Sequence, residues 1–441
     1  MDHSRDLQEA GRQLLHQLSD DIHHPPAGGL TREELIRRSR QISSTTGAAI
    51  KEQLDTLTGV LDAFLAGRAS EDALRFYTST QYKINVNELA GFMPGLRALS
   101  GGAAADDFAD AGKILSTADP SPCPKISVII TTYNRQAFLK QAVDSILQQD
   151  YPRVEVTVID DCSSDGTEEM MASAFGGEPR VIFMRNRVNS GPGNNRRKAL
   201  AAHGDGQFIL FLDDDDYLID RSYLSKAVLA HQTHPGLSFV AANVFLEYSR
   251  SQKLTLSSLG LNPVTDKHDY FMNFEQQGYP KPASTLTALF SREALMSIDI
   301  LNMKMVNDAS IYLRALLTGD AGFIDTLAGV YRIHGNNITF NLSQSFLIEN
   351  LEEKRNIRNM ATQRYGYSKP EMSEWFNHNV YDTISYYLMN SAQSHTDFKF
   401  MYSWASMHAP EAYTRLKRQF RTKLMKKQLL RVSFVRALLN R

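Results

Sequence analysis

"ISVIITTYNRQAFLKQAVDSILQQ", residues 126–149, decides how the chain reads. Its first seven residues are an apolar, β-branched run of the length of a buried strand. After "YNR" the period changes. Phe138, Ala142, Val143, Ile146 and Leu147 fall on one helical face. The alternation then repeats: "VEVTVID" (154–160) reads as a strand, "GTEEMMASAF" (166–175) as a helix and "RVIFM" (180–184) as a strand. "NNRRKALAA" (194–202) is a further helix and "QFILFL" (207–212) a fourth strand. Strands alternating with helices predict an α/β fold, a mostly parallel, Rossmann-like sheet with helices on both faces. Ligands of such sheets bind at the carboxyl ends of the strands.

Outward from this core the texture is helical. Leu14, Leu15 and Leu18 share a helical face, and "HHPPAGG" (23–29) breaks the chain. "TREE" (31–34) has the spacing of a capping box, Thr31 with Glu34, opening a long helix toward Leu65. "SED" (70–72) opens another; "LSGGAAADD" (99–107) reads as a loop and "STADPSPCP" (116–124) as a linker. The expected organisation is a helical N-terminal domain (1–118), an α/β domain (119–345) and a helical C-terminal region (346–441). The N-terminal helices suit packing or self-association into a homo-oligomer.

Composition narrows the class. With 441 residues the chain has room for about two or three domains. Hydrophobic residues make up 42% and the net charge is −1, so the chain lacks the basic signature of a nucleic-acid binder. Cys123 and Cys162 cannot build a disulfide framework, which fits a reducing, cytoplasmic compartment. No signal peptide and no transmembrane helix are expected. Residues 415–441 carry ten Lys/Arg and no acid, with Leu416, Phe420 and Leu424 recurring every four residues. A basic amphipathic helix of this kind suits peripheral contact with the inner face of a membrane.

The chemistry gathers where the strands end. "FLDDDDYLID" (211–220) runs from an apolar strand into four aspartates, whose adjacent charges repel. If the segment is extended, Asp213 and Asp215 share one face and Asp214 and Asp216 the other. A pair of carboxylates at a strand end suits Mg²⁺ or Mn²⁺, with waters and phosphate oxygens completing the shell. "VIDDCSSDGT" (158–167) adds Asp160 and Asp161 after the second strand. In "NSGPGNNRRKAL" (189–200), Gly191 and Gly193 allow close backbone approach, and Arg196 and Arg197 suit phosphate. The spacing matches neither GxGxxG nor GxxxxGK[ST].

Taken in order, "PKISVIITTYNR", "VIDDCSSDGT", "NSGPGNNRR" and "FLDDDDYL" resemble the nucleotide-sugar half of the family-2 inverting glycosyltransferases with the GT-A fold. "NDASIYLRALLTG" (307–319) and "YRIHGNNIT" (331–339) resemble its second half, so the resemblance covers about 124–340. It implies that Thr131 and Tyr133 border the nucleobase and that Asp161 hydrogen-bonds the base edge. It implies Arg196 near the nucleotide, and Asp213 and Asp215 as the D-x-D pair on ribose, metal and diphosphate. Asp214 lies within that nucleotide-sugar site, and Asp214 with Asp216 is the rival register. Asp308 matches the catalytic aspartate, and His334 a histidine that contacts metal or diphosphate. Three departures stand out: the fourfold aspartate run, Asn307 where the family has Glu, and Arg197 where it has Asn.

The resemblance thus implies an inverting, metal-assisted transfer from a nucleotide-diphosphate sugar, UDP-linked first, to a hydroxyl of a glycan, lipid-linked or polymer acceptor. The aromatic and amide-rich stretch "YFMNFEQQGYPKPASTLTALF" (270–290) is expected to face the acceptor. Two rivals are a non-catalytic glycan- or partner-binding module and a sugar-nucleotide nucleotidyltransferase. The first strand's "TTYNR" ending lacks the glycine-rich loop that the nucleotidyltransferase requires.

Overall fold

A computed structural model describes residues 3–26, 29–100, 123–251, 253–334, 343–392 and 395–420. It divides into two compact units. One comprises 1–270, 280–301 and 319–334, and the other 271–279, 302–318 and 335–441. This division follows compactness and differs from the three sequence segments: the N-terminal helices and the sheet lie in one unit.

The first unit begins with six helices, α1 (His3–His23), α2 (Arg32–Ser44), α3 (Ala48–Leu65), α4 (Glu71–Tyr82), α5 (Val86–Ala90) and α6 (Met93–Leu99). The single long helix expected from Thr31 to Leu65 is broken at Thr45–Gly47. There the hydroxyls of Thr45 and Thr46 donate back to the carbonyls of Ile42 and Ser43, both at 2.8 Å, and compete with helix propagation. Thr31 does cap α2, accepting from the Glu34 amide at 3.2 Å. The Glu34 carboxylate turns to Arg37 and Arg38 instead, so only half of the capping box forms. α1 and α4 approach closely at Gly11, where a Cβ would lie 2.0 Å from the Tyr82 ring.

Among the described residues the sheet carries ten strands: β1 (Ile126–Thr132), β2 (Val154–Asp160), β3 (Val181–Arg185), β4 (Phe208–Asp213), β5 (Tyr217–Leu218), β6 (Leu237–Tyr248), β7 (Lys253–Leu256), β8 (Val264–Thr265), β9 (Leu289–Ser291) and β10 (Asp320–Ile333). The main path runs β3-β2-β1-β4-β9-β6-β10-β5. Strands β3, β2, β1 and β4 are parallel, as the alternation predicts, and β9 is antiparallel to both its neighbours. Helices α7 (Gln136–Leu147), α8 (Thr167–Phe175) and α9 (Pro192–His203) join the parallel strands. Apolar residues of β1, β2 and β4 with Leu139, Ala142, Val143 and Ile146 form the core under the sheet edge. Phe138, expected inward, is 38% exposed, with the Arg332 guanidinium 4.9 Å from its ring.

His231, on α10 (Tyr223–Thr233), is buried beside Phe208 and donates from Nε2 to the Leu289 carbonyl, 2.9 Å away. Burial depresses its pKa to about 4. The ring is therefore neutral in the fold, while the unfolded chain binds a proton below about 6.5. Its stabilising contribution is present above that value and lost as pH falls toward 4. His231→Gln is expected to flatten the fall in Tm between pH 7 and pH 4.5; an unchanged slope would show that other groups govern acid unfolding.

The second unit contains α13 (Asp308–Ala315), α14 (Gln344–Arg364), α15 (Lys369–Asn390), α16 (His395–His408) and α17 (Pro410–Arg415), after α11 (Lys267–Asn273) and α12 (Arg292–Ser297) in chain order. Arg314 and Glu353 form a buried pair of 2.6 and 3.0 Å that ties α13 to α14. Of the basic segment 415–441, only 415–420 lie among the described residues, and there Leu416 and Phe420 are buried. The membrane-contact expectation for the rest lies outside them. Among the described residues no helix is long and apolar enough to cross a membrane.

Candidate active site

Register brings the polar strand ends together. Thr131 of β1 lies opposite Asp213 of β4, and Thr132 lies opposite Asp160 of β2. Thr131 is buried, and the next residue past the strand, Tyr133, leaves its ring 49% exposed. Asn134 then takes a left-handed turn, φ +52°. Its amide donates to Ser163 Oγ at 2.8 Å, and its side-chain oxygen accepts from the Ser164 amide at 2.8 Å. The loops after β1 and β2 are thereby tied to each other.

Asp160 is fully buried, accepts from the Ser163 amide at 3.1 Å, and meets Arg185 Nε at 3.2 Å. Asp161 holds the glycine segment: Oδ1 accepts from Asn186 (2.9 Å) and the Ser190 amide (2.8 Å), Oδ2 from the Gly191 amide (2.8 Å). Burial alone would push its pKa up, but these hydrogen bonds win and hold it below the usual carboxylate value. Gly191, at φ +81°, and Pro192 start α9, which delivers Arg196.

The aspartate run does not continue as an extended strand. β4 stops at Asp213 and the chain turns, with the Asp216 amide on the Asp213 carbonyl at 3.2 Å. The two-face alternation expected of the run therefore fails, because the chain turns after Asp213. Asp213, one-third exposed, accepts from Arg196 Nη2 at 2.7 Å. Arg135 Nη1 lies 2.9 Å from Asp214 and 2.6 Å from Asp215. His334 Nε2 meets the same Asp215 oxygen at 2.7 Å. Asp216 accepts from the Arg332 amide (3.0 Å) and Ser284 Oγ (3.1 Å).

Burial raises the Asp214 pKa to about 7 against the pull of Arg135, and raises that of Asp216 well above the usual value. Arginine side chains thus offset the charge of Asp213, Asp214 and Asp215, and a backbone amide and a hydroxyl hold Asp216. The donor chemistry of Asp213, Asp215 and His334, carboxylate oxygens and an imidazole, fits a divalent ion. Among the described residues no three such side chains converge on a point, so a diphosphate and water would have to supply the remaining ligands.

Asp308 belongs to the second unit, in the first turn of α13. The helix is capped by Asn307, whose side chain accepts from the Ser310 amide at 2.9 Å. The residue that replaces the family's glutamate thus has a structural task. Tyr270, Phe271 and Phe274, expected at an acceptor surface, are buried; Phe271 stacks on Trp375 at 5.0 Å and Tyr270 meets Phe323 at 5.5 Å. The alternative of ordinary core packing holds for these three rings.

Two residues at the turn escape the sequence reading. Arg135 directly follows "TTYN", and Arg332 stands two positions before His334 in "YRIH". Both sit inside segments that already draw notice, but a basic residue beside an acidic run signals pairing only once the fold brings them together. Arg332 Nη1 donates to the Asp215 carbonyl at 2.8 Å and Nη2 to Gln141 at 2.6 Å.

Residues 127–298 match the family model described as Glycosyl transferase family 2. The chain is 32% identical over 152 residues to the GalNAc(5)-diNAcBac-PP-undecaprenol beta-1,3-glucosyltransferase of Campylobacter jejuni, a match covering 34% of this chain and 48% of that protein. It is 25% identical over 235 residues to the putative teichuronic acid biosynthesis glycosyltransferase TuaG of Bacillus subtilis, covering 49% and 82%. The crystal structure of S. aureus TarS 1-349 in complex with UDP-GlcNAc superimposes with a TM-score of 0.53 at 19% identity, over 68% of this chain and 88% of that one. The first relative is thus matched over about half its length. The order of strand-end motifs and the parallel sheet that carries them agree with these likenesses: residues 127–298 match glycosyl transferase family 2, and the sheet domain has the GT-A fold.

Proposed function

We propose that the chain transfers a sugar from a nucleotide diphosphate donor, UDP-linked, to a hydroxyl of a glycan, lipid-linked or polymer acceptor, with inversion at the anomeric carbon. The domain responsible is 119–345, with 1–118 and 346–441 flanking it. The observation that carries the reading is the acidic turn at the carboxyl ends of the parallel strands, with Asp215 and His334 2.7 Å apart. The undecaprenol-linked and teichuronic acid names of its relatives support the acceptor class.

In this reading the half-exposed ring of Tyr133 stacks on the nucleobase, with Thr131 beside it. Asp161 orients the glycine segment and reads the base edge. Asp213 and Arg196 face the ribose and phosphate side, next to Asp214. Asp213, Asp215 and His334 hold Mn²⁺ or Mg²⁺, which when bound offsets the charge of the leaving diphosphate as a Lewis acid. Asp308 takes the proton of the attacking hydroxyl as the glycosidic bond breaks. Direct displacement needs no enzyme nucleophile.

A thermal-shift panel tests the donor half without an acceptor. UDP, GDP, CDP and dTDP, each with and without Mn²⁺, are compared on wild type and Asp215→Ala. UDP with Mn²⁺ is expected to stabilise the wild type by about 2.7 kcal/mol at 100 times its Kd, and the variant far less. No shift with any nucleotide would favour a binding module on a transferase scaffold.

A further inference from the structure

The family match begins at residue 127, so α1–α6 fall outside it. Yet they share one core with the sheet: Leu57, Leu61, Leu74 and Tyr77 pack in the same cluster as Tyr217, Phe245, Leu327 and Val330. Phe76 of α4 touches the residue that follows the acidic turn. Its ring meets Tyr217 edge-on, centroids 6.0 Å apart at 75°, and Phe245 at 5.7 Å.

Tyr217 directly follows Asp216 and is buried. Its ring also carries the Arg332 guanidinium, 4.6 Å from the centroid. Arg332 in turn grips the aspartate turn twice, through Nη1 on the Asp215 carbonyl and its amide on the Asp216 carboxylate. The strand that continues the turn, β5, has two residues and, among the described residues, pairs only with β10. So short a ladder is one anchor among several, beside the Leu218 amide on Ser145 Oγ at 3.1 Å and the Ile219 amide on the Ala328 carbonyl at 2.9 Å, and the packing on Tyr217 adds the side-chain contact next to Asp216.

We propose that Phe76 is a positioning residue for the donor site: through Tyr217 and Arg332, the N-terminal helical layer fixes the turn that carries Asp213–Asp216. The inference rests on the donor-site reading above and adds a residue outside the family's matched region. A layer that merely shields the sheet would stabilise the unit without tuning the turn.

The test uses the full chain with Phe76→Leu, Phe76→Tyr and Leu14→Ala. Leu14 is a fully buried residue of the same core, on α1, which packs on α2, α3, α4 and α6. UDP affinity is measured by calorimetry with Mn²⁺, at a temperature where every variant is folded, and hydrogen exchange is followed in 213–218. Phe76→Leu is expected to weaken UDP binding by up to about tenfold, the scale of one aromatic contact, and to speed exchange in 213–218. Phe76→Tyr, which keeps the ring, is expected to restore both. Leu14→Ala is expected to lower Tm and leave both unchanged. Wild-type values for Phe76→Leu, or equal losses in Leu14→Ala, overturn the inference. If the wild type binds no UDP, the donor reading falls, and the exchange arm alone then decides whether Phe76 holds the turn.

Discussion

Asp308→Asn is expected to lower kcat by about 10²–10⁴, the range general-base help supplies, while UDP affinity stays at the wild-type value. An acceptor hydroxyl is a poor nucleophile until its proton leaves, and an amide of the same shape cannot take that proton. The substitution keeps the helix intact, because the cap belongs to Asn307 rather than to Asp308. Losing one carboxylate from the first turn of α13 costs about 0.3–1 kcal/mol of helix-dipole interaction. The measurement is UDP release from the donor sugar in the presence of acceptor, beside a UDP titration of the same preparation. A variant that keeps kcat within about twofold would remove Asp308 from the chemistry. Asn307→Ala makes the useful contrast, since losing the cap costs about 1 kcal/mol and acts on stability first.

The parallel half of the sheet was legible because period is a local property. Buried strands such as 126–132 and helices such as 192–203 declare themselves by which residues are apolar, and their order dictates the layering. The positions of Thr131, Asp161 and Asp213 at strand ends followed from the same pattern. What the pattern could not carry was any interaction set by distant segments. The turn at Asp214–Asp216 depends on Arg332 and Ser284, more than 65 residues away in the chain. Phe138, which its spacing put inward, is partly exposed, with the Arg332 guanidinium against its ring. The break at Thr45–Gly47 was the opposite case: its hydroxyl-to-carbonyl bonds are local, and the TTG composition signals them once read as helix breakers. Residues 270–274 looked amphipathic and sugar-facing because aromatic rings serve cores and glycan surfaces equally well, and only burial separates the two.

Arg135→Met is expected to expose how the apo turn survives its own charge. One guanidinium nitrogen serves both Asp214 and Asp215, whose side chains are 4% and 8% exposed. Removing it leaves two desolvated carboxylates adjacent, with His334 still on the Asp215 carboxylate. Breaking a fully buried pair costs about 3–5 kcal/mol; because Arg135 itself is 29% exposed, about 2–3 kcal/mol is expected here. The loss depends on pH in a definite direction. Asp214 has a folded-state pKa raised to about 7, so its stabilising contribution is complete at acid pH and disappears as pH rises through 7. At pH 5.5 the Asp214 carboxyl is protonated in the fold and asks little of Arg135, so its share of the penalty falls away; at pH 8 it is charged and the penalty is full. A divalent ion supplies the same positive charge from outside. Mn²⁺ or Mg²⁺ at pH 8 is therefore expected to raise the Tm of Arg135→Met more than that of the wild type. Equal penalties at both pH values would mean that the arginine acts by packing rather than charge. A variant that Mn²⁺ fails to rescue would place the cation elsewhere than at Asp215.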